Sequence, residues 1–248
     1  MRKVVIVNNY KGPVPWSNNF NCECIVYNKY NPRIEETYWK TPHENIYDYY
    51  KRLFTYPNFL EIMKPLPEEE DSNFVTNVGH ETSTFFGYIV KHYDNIADMN
   101  IFLHNTPFHH CKDIIQQVNN ISEPIDFIEF GTVMTSDING GPTDTCPVGD
   151  IFHQLFPDKP IPETYYFASG SLFGISKQTV YKMGKSFFEQ CVKISETMPL
   201  APWAFERLFR TILRRLNYEK TYISNNSISS NSLFCFWMDI RSYLERKY

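Results

Sequence analysis

The stretch that decides the fold is Lys3-Val4-Val5-Ile6-Val7-Asn8-Asn9, a β-branched run that ends in two amides. Such a run predicts a buried strand that passes directly into a loop. Working outward from it, we predict further strands at residues 24–27, 98–105, 125–130 and 165–175, and helices at residues 84–92, 178–194 and 203–216. Residues 45–64 also have helical spacing, but Pro57 must interrupt or end that helix. Strands that alternate with helices predict an α/β fold with a mixed, mostly parallel central sheet flanked by helices.

The chain is rich in aromatic residues and almost neutral in charge. Of its 248 residues 17% are aromatic, and its formal net charge is −4. This weak negative charge argues against a protein that binds nucleic acid by bulk electrostatics. The first residues lack the apolar stretch of a signal peptide, and no apolar run is as long as the ~18 residues of a membrane span. We therefore expect one domain, residues 1–248, in the cytoplasm, with its six cysteines as thiols.

Polar side chains stand at the points where three of the predicted strands end. They are Asn8, Asn9 and Tyr10 after the first strand, Asn28 after the second, and His104 and Asn105 after the third. In open α/β sheets, ligands bind beyond the carboxyl ends of the strands. The sequence therefore predicts a polar ligand cleft in which the ends of the first and third strands lie side by side.

Five glycines and prolines lie close together in the segment from residue 136 to residue 162, which we predict to be a long ordered loop. Elsewhere the chain lacks both types of glycine-rich phosphate loop and the G-x-S-x-G elbow of α/β-hydrolases. These absences exclude the standard dinucleotide, P-loop and serine-hydrolase sites.

Three segments carry a more specific pattern. The first, Asn77-Val78-Gly79-His80-Glu81-Thr82-Ser83-Thr84, leads into a helix that Thr76 or Asn77 can cap. The second, Asn100-Ile101-Phe102-Leu103-His104-Asn105-Thr106, ends a strand. The third runs from Phe167 through Ser169-Gly170-Ser171 to Ser176, and a helix separates it from Pro202-Trp203-Ala204-Phe205-Glu206-Arg207. Over about residues 3–216 this order resembles the GT-A class of nucleotide-sugar-dependent glycosyltransferases, in particular a little-characterised family with an N-V-G-R-E motif and an F-L-H or F-L-Q strand end.

The resemblance implies a GT-A-like, Rossmann-like domain. Residues 1–110 would form its nucleotide-sugar-binding half, and residues 111–248 its acceptor-side half. It implies donor contacts from Asn8, Asn9, Tyr10, Asn77, His80, Glu81, His104 and Asn105, and acceptor-side contacts from Ser169, Gly170, Ser171 and Trp203. Glu206 falls where inverting members place their acceptor-side carboxylate. The implied partners are a nucleotide sugar, above all a UDP-sugar, and a glycan acceptor.

The metal that GT-A enzymes hold with a D-x-D motif has no obvious ligands here. The corresponding residues are His104-Asn105-Thr106, which include no carboxylate, and Mn²⁺ and Mg²⁺ prefer oxygen ligands. His80 likewise replaces an arginine that family members often carry, so a titratable charge replaces a fixed one. Metal-independent donor binding, a metal held partly by His104, and a metal held by carboxylates such as Asp144 or Asp150 all stay open.

Glu206 is the candidate catalytic base, because an inverting transfer needs a group that takes the proton of the acceptor hydroxyl. We place it in the first turn of its helix, where the helix dipole favours an ionised carboxylate. The alternative is a surface carboxylate paired with Arg210 one turn later. Asn77 and Glu81 have a similar alternative as helix-capping groups.

We therefore expect an enzyme that moves a sugar from a nucleoside-diphosphate donor to a carbohydrate acceptor. The alternative from another functional class is a non-catalytic carbohydrate-binding or scaffolding protein with the same sheet. Turnover of nucleotide sugars with and without Mn²⁺ separates the two.

Overall fold

The computed structural model describes residues 1–10, 12–29, 80–141 and 146–215, and the single positions 48, 52 and 55. Its strands are β1 (Lys3–Asn9), β2 (Glu23–Asn28), β3 (Met99–His104), β4 (Phe127–Glu129), β5 (Val133–Ser136), β6 (Tyr165–Ala168) and β7 (Phe173–Ser176). Its α-helices are α1 (His80–His92), α2 (Ile114–Asn119), α3 (Val148–Leu155), α4 (Lys177–Met183), α5 (Lys185–Thr197) and α6 (Ala201–Arg215). The described residues that form these elements belong to one compact unit, Met1–Leu216.

The central sheet has five strands in the order β2-β1-β3-β7-β4, and β5 and β6 form a separate two-stranded sheet. Strand β1 pairs in parallel with β2 and β3, whereas β7 runs antiparallel to both β3 and β4. Four of the five strands therefore point the same way, which confirms the predicted mixed, mostly parallel sheet flanked by helices. Because β7 is reversed, its first residue lies at the edge of the sheet where β1, β2 and β3 end.

Strand β1 is buried along its whole length because apolar layers cover both faces of the sheet. Val4 and Ile6 belong to a core that includes Phe102 of β3 and apolar residues of α1, α5 and α6. Val5 and Val7 belong to a second core on the other face, together with residues of β3 and α2. This double burial explains why the strand carries a continuous β-branched run instead of alternating polar and apolar residues.

The predicted loop over residues 136–162 is wrong in part, because it contains helix α3. Val148, Ile151, Phe152 and Leu155 are buried at helical spacing and pack against the core. Pro147 precedes the helix, and Gly149 lies within its first turn, where a Cβ atom would come within 3.3 Å of Ile138 Cβ. Both residues are typical of loops, but here one starts a helix and the other permits close packing.

Two other predicted elements are divided in the structure. The predicted strand at 165–175 is the pair β6 and β7, joined by a turn at Gly170 with a φ of +93°. The predicted helix at 178–194 is the pair α4 and α5, which Gly184 separates with a φ of +83° and a ψ of 151°. Only glycine adopts that backbone conformation readily, so the helix is interrupted there.

Several predictions fall on residues that the structure does not describe. These are the helix at 45–64, the helix caps Thr76 and Asn77, and the metal candidate Asp144. Within the described ranges, no helix is long and apolar enough to cross a membrane.

Candidate functional site

The ends of β1, β2 and β3 lie next to one another, as the sequence predicts. Asn8 pairs with His104 across β1 and β3, and Asn9 pairs with Asn28 across β1 and β2. The Asn9 amide donates to Asn28 Oδ1 at 2.9 Å, while Asn8 Oδ1 accepts from the Thr84 hydroxyl at 2.7 Å. Asn8 and Asn9 are both buried, and these bonds tie the strand ends to each other and to α1.

One cluster at this edge joins His104 to the turn between β6 and β7. The His104 and His110 rings meet edge to face with their centroids 5.3 Å apart. His110 Nδ1 lies 3.2 Å from the Ser169 hydroxyl. The next residue, Gly170, leaves room for the imidazole, since a Cβ atom there would lie 2.5 Å from two atoms of the His110 ring. Strand β3 and the β6–β7 turn thus form one continuous packed surface.

Glu206 lies against the same turn from the other side. Its Oε1 accepts a hydrogen bond from Gly170 N at 2.6 Å, and its Oε2 lies 3.3 Å from Arg207 Nη1. Arg207 is 4% exposed, and it also donates to the Gly140 and Trp203 carbonyls at 2.7 Å each. The Gly170 N–H and the Arg207 guanidinium group orient the Glu206 carboxylate.

Two details of the sequence-based description of Glu206 are corrected. Helix α6 begins at Ala201, so Glu206 lies in the second turn and not in the first. The helix dipole therefore acts on it less than we expected, since this effect is confined to the first turn. Arg210 pairs with the Glu129 carboxylate, so it is not the partner of Glu206 in the described contacts.

A buried lysine defines the remaining part of the site, where β2 ends. Lys29 Nζ donates to Ser83 Oγ at 2.6 Å and to the His80 carbonyl oxygen, both in the first turn of α1. Lys29 is 1% exposed, and this burial lowers its pKa to about 7, against the raising effect of the Glu81 and Glu196 carboxylates. The Lys29 ammonium thus ties the end of β2 to the start of α1.

The groups around Lys29 influence one another electrostatically. Burial and the nearby Lys29 charge lower the pKa of His80 to about 3, so its imidazole is neutral at pH 7. Burial raises the pKa of Glu81, and the negative charge of Glu206 raises it further. The His80 ring also contacts the Trp203 ring, with centroids 4.7 Å apart. His80, Glu81, Trp203 and Glu206 therefore form one connected group.

Backbone strain coincides with this group. His80 has a φ of +47° and Ser171 a φ of +52°, both in the left-handed region that non-glycine residues rarely adopt. Strained residues of this kind concentrate at functional sites, because surrounding contacts must hold them in place. Here the Lys29 ammonium binds the His80 carbonyl, and Ser171 is buried within the β6–β7 turn.

The structure thus brings together most of the residues that the sequence singled out. Two adjacent groups share the Ser169-Gly170-Ser171 turn, one with His104 and His110, the other with Glu81, Trp203 and Glu206. The remaining candidates lie outside these two groups. Tyr10 is exposed just after β1, and Asn105 is half-buried just after β3. Asn77 lies outside the described residues.

Sequence reasoning missed three residues of the site. Lys29 directly follows a strand end, which was a usable signal. His110 and Arg207 gave no signal of their own, because their partners Ser169 and Gly140 are more than fifty residues away in the sequence.

The side chains of the described part of the chain do not form an evident metal site. In that part, no group of three or more His, Cys, Asp or Glu side chains is arranged to hold a metal ion. Asp150 is exposed on α3, and Asp144 lies outside the described residues. The donor set around His104 therefore does not fit a D-x-D-type metal centre.

A depression of about 580 Å³ lies at the opposite edge of the sheet, around Lys3 and Asn21. The Lys3 ammonium donates to the Val118 and Ile121 carbonyls at 2.7 and 3.1 Å. The Lys3 ammonium therefore binds the carbonyl groups at the end of α2, and we assign no ligand to this depression.

Comparison with known proteins gives one match. Residues 33–136 match a family described as a protein of unknown function (DUF3431). The matched range contains the Asn77–Thr84 and Asn100–Thr106 segments and ends before the β6–β7 turn. No curated protein and no solved structure matches the chain. The chain is thus similar over these residues to a family whose description names no activity.

Proposed function

We propose that this protein is a glycosyltransferase that moves a sugar from a nucleoside-diphosphate sugar, above all a UDP-sugar, to a glycan acceptor. The observation that carries the proposal is the meeting of distant segments at the carboxyl edge of the sheet. Gly170 N is bonded to Glu206 Oε1 at 2.6 Å, and the Trp203 and His80 rings are 4.7 Å apart. His104 joins them through His110 and Ser169. Ligands of open α/β sheets bind at this edge.

Glu206 is the proposed base of an inverting transfer. The acceptor oxygen forms a bond to the anomeric carbon while the bond from that carbon to the diphosphate breaks, and the hydroxyl proton passes to Glu206. The hydrogen bond from Gly170 N holds the carboxylate in one orientation, and correct orientation is a large part of general-base catalysis.

The remaining residues divide between the two substrates. Trp203 offers an aromatic face, and Ser169 and Ser171 offer hydroxyl groups, on the side of Glu206, which suits a sugar acceptor. On the donor side we propose Asn8, Asn9, Tyr10, His80, Glu81, His104 and Asn105, with Asn77 as a further donor contact outside the described residues. We propose a cytoplasmic location and a divalent-ion requirement weaker than that of a D-x-D enzyme.

The first experiment is a screen for donor turnover. The protein is incubated with a panel of nucleotide sugars, with and without Mn²⁺, and release of the nucleoside diphosphate is measured. Release from one or a few donors supports the proposal. Glycan binding without any release would instead support a non-catalytic carbohydrate-binding protein on the same sheet.

The second experiment tests the base. We predict that Glu206→Gln folds normally and still binds the donor, because glutamine keeps an oxygen that accepts the Gly170 hydrogen bond. Transfer to the acceptor should fall at least about 100-fold, the usual effect of losing a general base. Glu189→Gln is the matched control, since Glu189 is exposed on α5. Near-normal transfer by folded Glu206→Gln would remove Glu206 from the mechanism.

A further inference from the structure

The hydrogen bonding of His104 fixes which of its two ring nitrogens carries a proton. The backbone N–H of Thr106 donates to His104 Nδ1 at 3.0 Å. A backbone N–H can only donate, so Nδ1 must use its lone pair and carries no hydrogen. A neutral imidazole has a single N–H group, which therefore lies on Nε2.

The environment of His104 keeps the ring in this neutral form. Burial lowers the pKa of His104 to about 4, and the nearby His110 and His109 lower it in the same direction. Nε2 is buried and has no hydrogen-bond partner in the described part of the chain. A buried N–H without an acceptor is costly, and native proteins rarely keep one without a reason.

We propose that His104 binds the donor substrate directly, its Nε2–H donating to an oxygen of the diphosphate, and that it does not ligate a divalent metal. This inference rests on the proposed function, which supplies the diphosphate. To bind a metal, Nε2 would need a free lone pair, so the ring proton would have to move to Nδ1. There it would point at the Thr106 N–H, and the hydrogen bond between them would be lost. Among the groups of a nucleotide sugar, the charged phosphate oxygens are the strongest acceptors.

The tautomer is tested without any substrate. Nitrogen-15 NMR of the histidine side chains at neutral pH should give His104 Nε2 the chemical shift of a protonated ring nitrogen and Nδ1 that of an unprotonated one. A proton on Nδ1, or selective broadening of the His104 ring signals by low concentrations of Mn²⁺, would overturn the inference.

Binding is tested with inorganic pyrophosphate in the presence of EDTA, by calorimetry. We expect wild-type protein to bind and His104→Ala to bind at least about tenfold more weakly, the effect of one hydrogen bond to a charged group. His104→Gln should recover part of the affinity, because its amide supplies an N–H. His109→Ala is the control, since His109 is the exposed neighbour. Glucose in place of pyrophosphate distinguishes a phosphate contact from a sugar contact, and weakening of glucose binding alone would contradict us.

The results separate this inference from the proposed function. Pyrophosphate binding that depends on His104, with no donor turned over, would support the inference and count against glycosyl transfer. If folded His104→Ala turned over a donor with unchanged KM, that would support glycosyl transfer and overturn the inference about His104. Pyrophosphate binding that requires Mn²⁺, or no pyrophosphate binding at all, would also overturn the inference.

Discussion

The Lys29 side chain places an ammonium group where water scarcely reaches, with 1% of its surface exposed. It donates hydrogen bonds to Ser83 Oγ and the His80 carbonyl, but loses the hydration of its charge. The lowered pKa, about 7, means that this loss outweighs the attraction of Glu81 and Glu196. A charge retained at such cost beside a left-handed residue is typical of a functional site.

This balance predicts how stability changes with pH. The folded protein releases the Lys29 proton near pH 7, whereas a lysine in an unfolded chain holds it to about pH 10.4. Unfolding therefore takes up a proton between these values, so raising the pH through this window stabilises the fold. We expect the free energy of unfolding of wild-type protein to rise relative to that of Lys29→Met from about pH 7 to 9.

Urea unfolding of both proteins across that range measures the difference. Lys193→Met, an exposed lysine on α5, is the control and should leave the pH dependence unchanged. A constant difference between wild-type protein and Lys29→Met at every pH would show that the Lys29 pKa is not lowered.

Single residues were the hardest part of the site to predict. Asn8, His104 and Glu206 could be found because each stands at the end of a strand or on a strongly amphipathic helix. Arg207 could not, because its partner Gly140 is 67 residues away and only the tertiary fold brings them together. The same holds for His110, which the sequence shows only as one of two adjacent histidines.

At the scale of elements, the turn between β6 and β7 carries the largest share of the site. The Gly170 N–H of this turn donates to Glu206. The Ser169 hydroxyl contacts the His110 ring, and Gly170 leaves room for that ring because it has no side chain. Gly131, which packs against the turn, is equally constrained. Its φ is +123°, and a Cβ atom added there would lie 2.8 Å from Ser169 O. Two glycines thus allow three chain segments to approach within van der Waals distance.

We predict that Gly170→Ala destabilises the protein by about 1–3 kcal/mol, because the new Cβ strains the backbone and overlaps the His110 ring. In the His110→Ala background the overlap with the ring atoms disappears and only the His110 Cβ contact at 3.1 Å remains, so the cost of Gly170→Ala should fall by about 1 kcal/mol or more. Chemical unfolding of the four proteins of this double-mutant cycle measures the effect.

Gly87→Ala is the control for the substitution itself. Gly87 lies inside α1, and a Cβ atom added there would meet nothing within 4 Å, so alanine should stabilise the helix by about 0.5–1 kcal/mol. Strict additivity of Gly170→Ala and His110→Ala would contradict the packing described for the turn.

Elements with a clear apolar pattern were predictable from the sequence, and those governed by glycine were not. The β1 run and the α6 stripe of Leu208, Phe209, Ile212 and Leu213 have the expected structure, since all four stripe residues are buried. Helix α3 was not predicted because Pro147 and Gly149 are residues typical of loops. Tertiary burial of its apolar face overrides those signals.

At the scale of the whole molecule, one sheet is shared by two apolar cores. Phe102 and Leu103 are adjacent in β3 and point into opposite cores, and both are fully buried. The Phe102 ring packs on Phe173 of β7, with centroids 4.9 Å apart. Loss of either core therefore exposes one face of the same strands.

We predict that Phe102→Ala lowers the free energy of unfolding by about 3–5 kcal/mol and Leu103→Ala by about 2–5 kcal/mol. Each variant should still unfold in a single transition, because the two cores share β1 and β3. Urea unfolding followed by both fluorescence and circular dichroism measures this. Two separated transitions in either variant would mean that the cores unfold independently.

The reversed direction of β7 has a practical consequence for immobilising the protein. Its last residue, Ser176, lies at the far edge of the sheet, where its N–H donates to Asp126 O at 3.4 Å and the Lys177 N–H donates to Asp98 O at 3.0 Å. Residues 122–124 beside Asp126 are exposed. A biotin-acceptor peptide inserted there would attach the protein to a sensor chip by the edge opposite the candidate site, leaving the strand ends accessible to ligands flowing past.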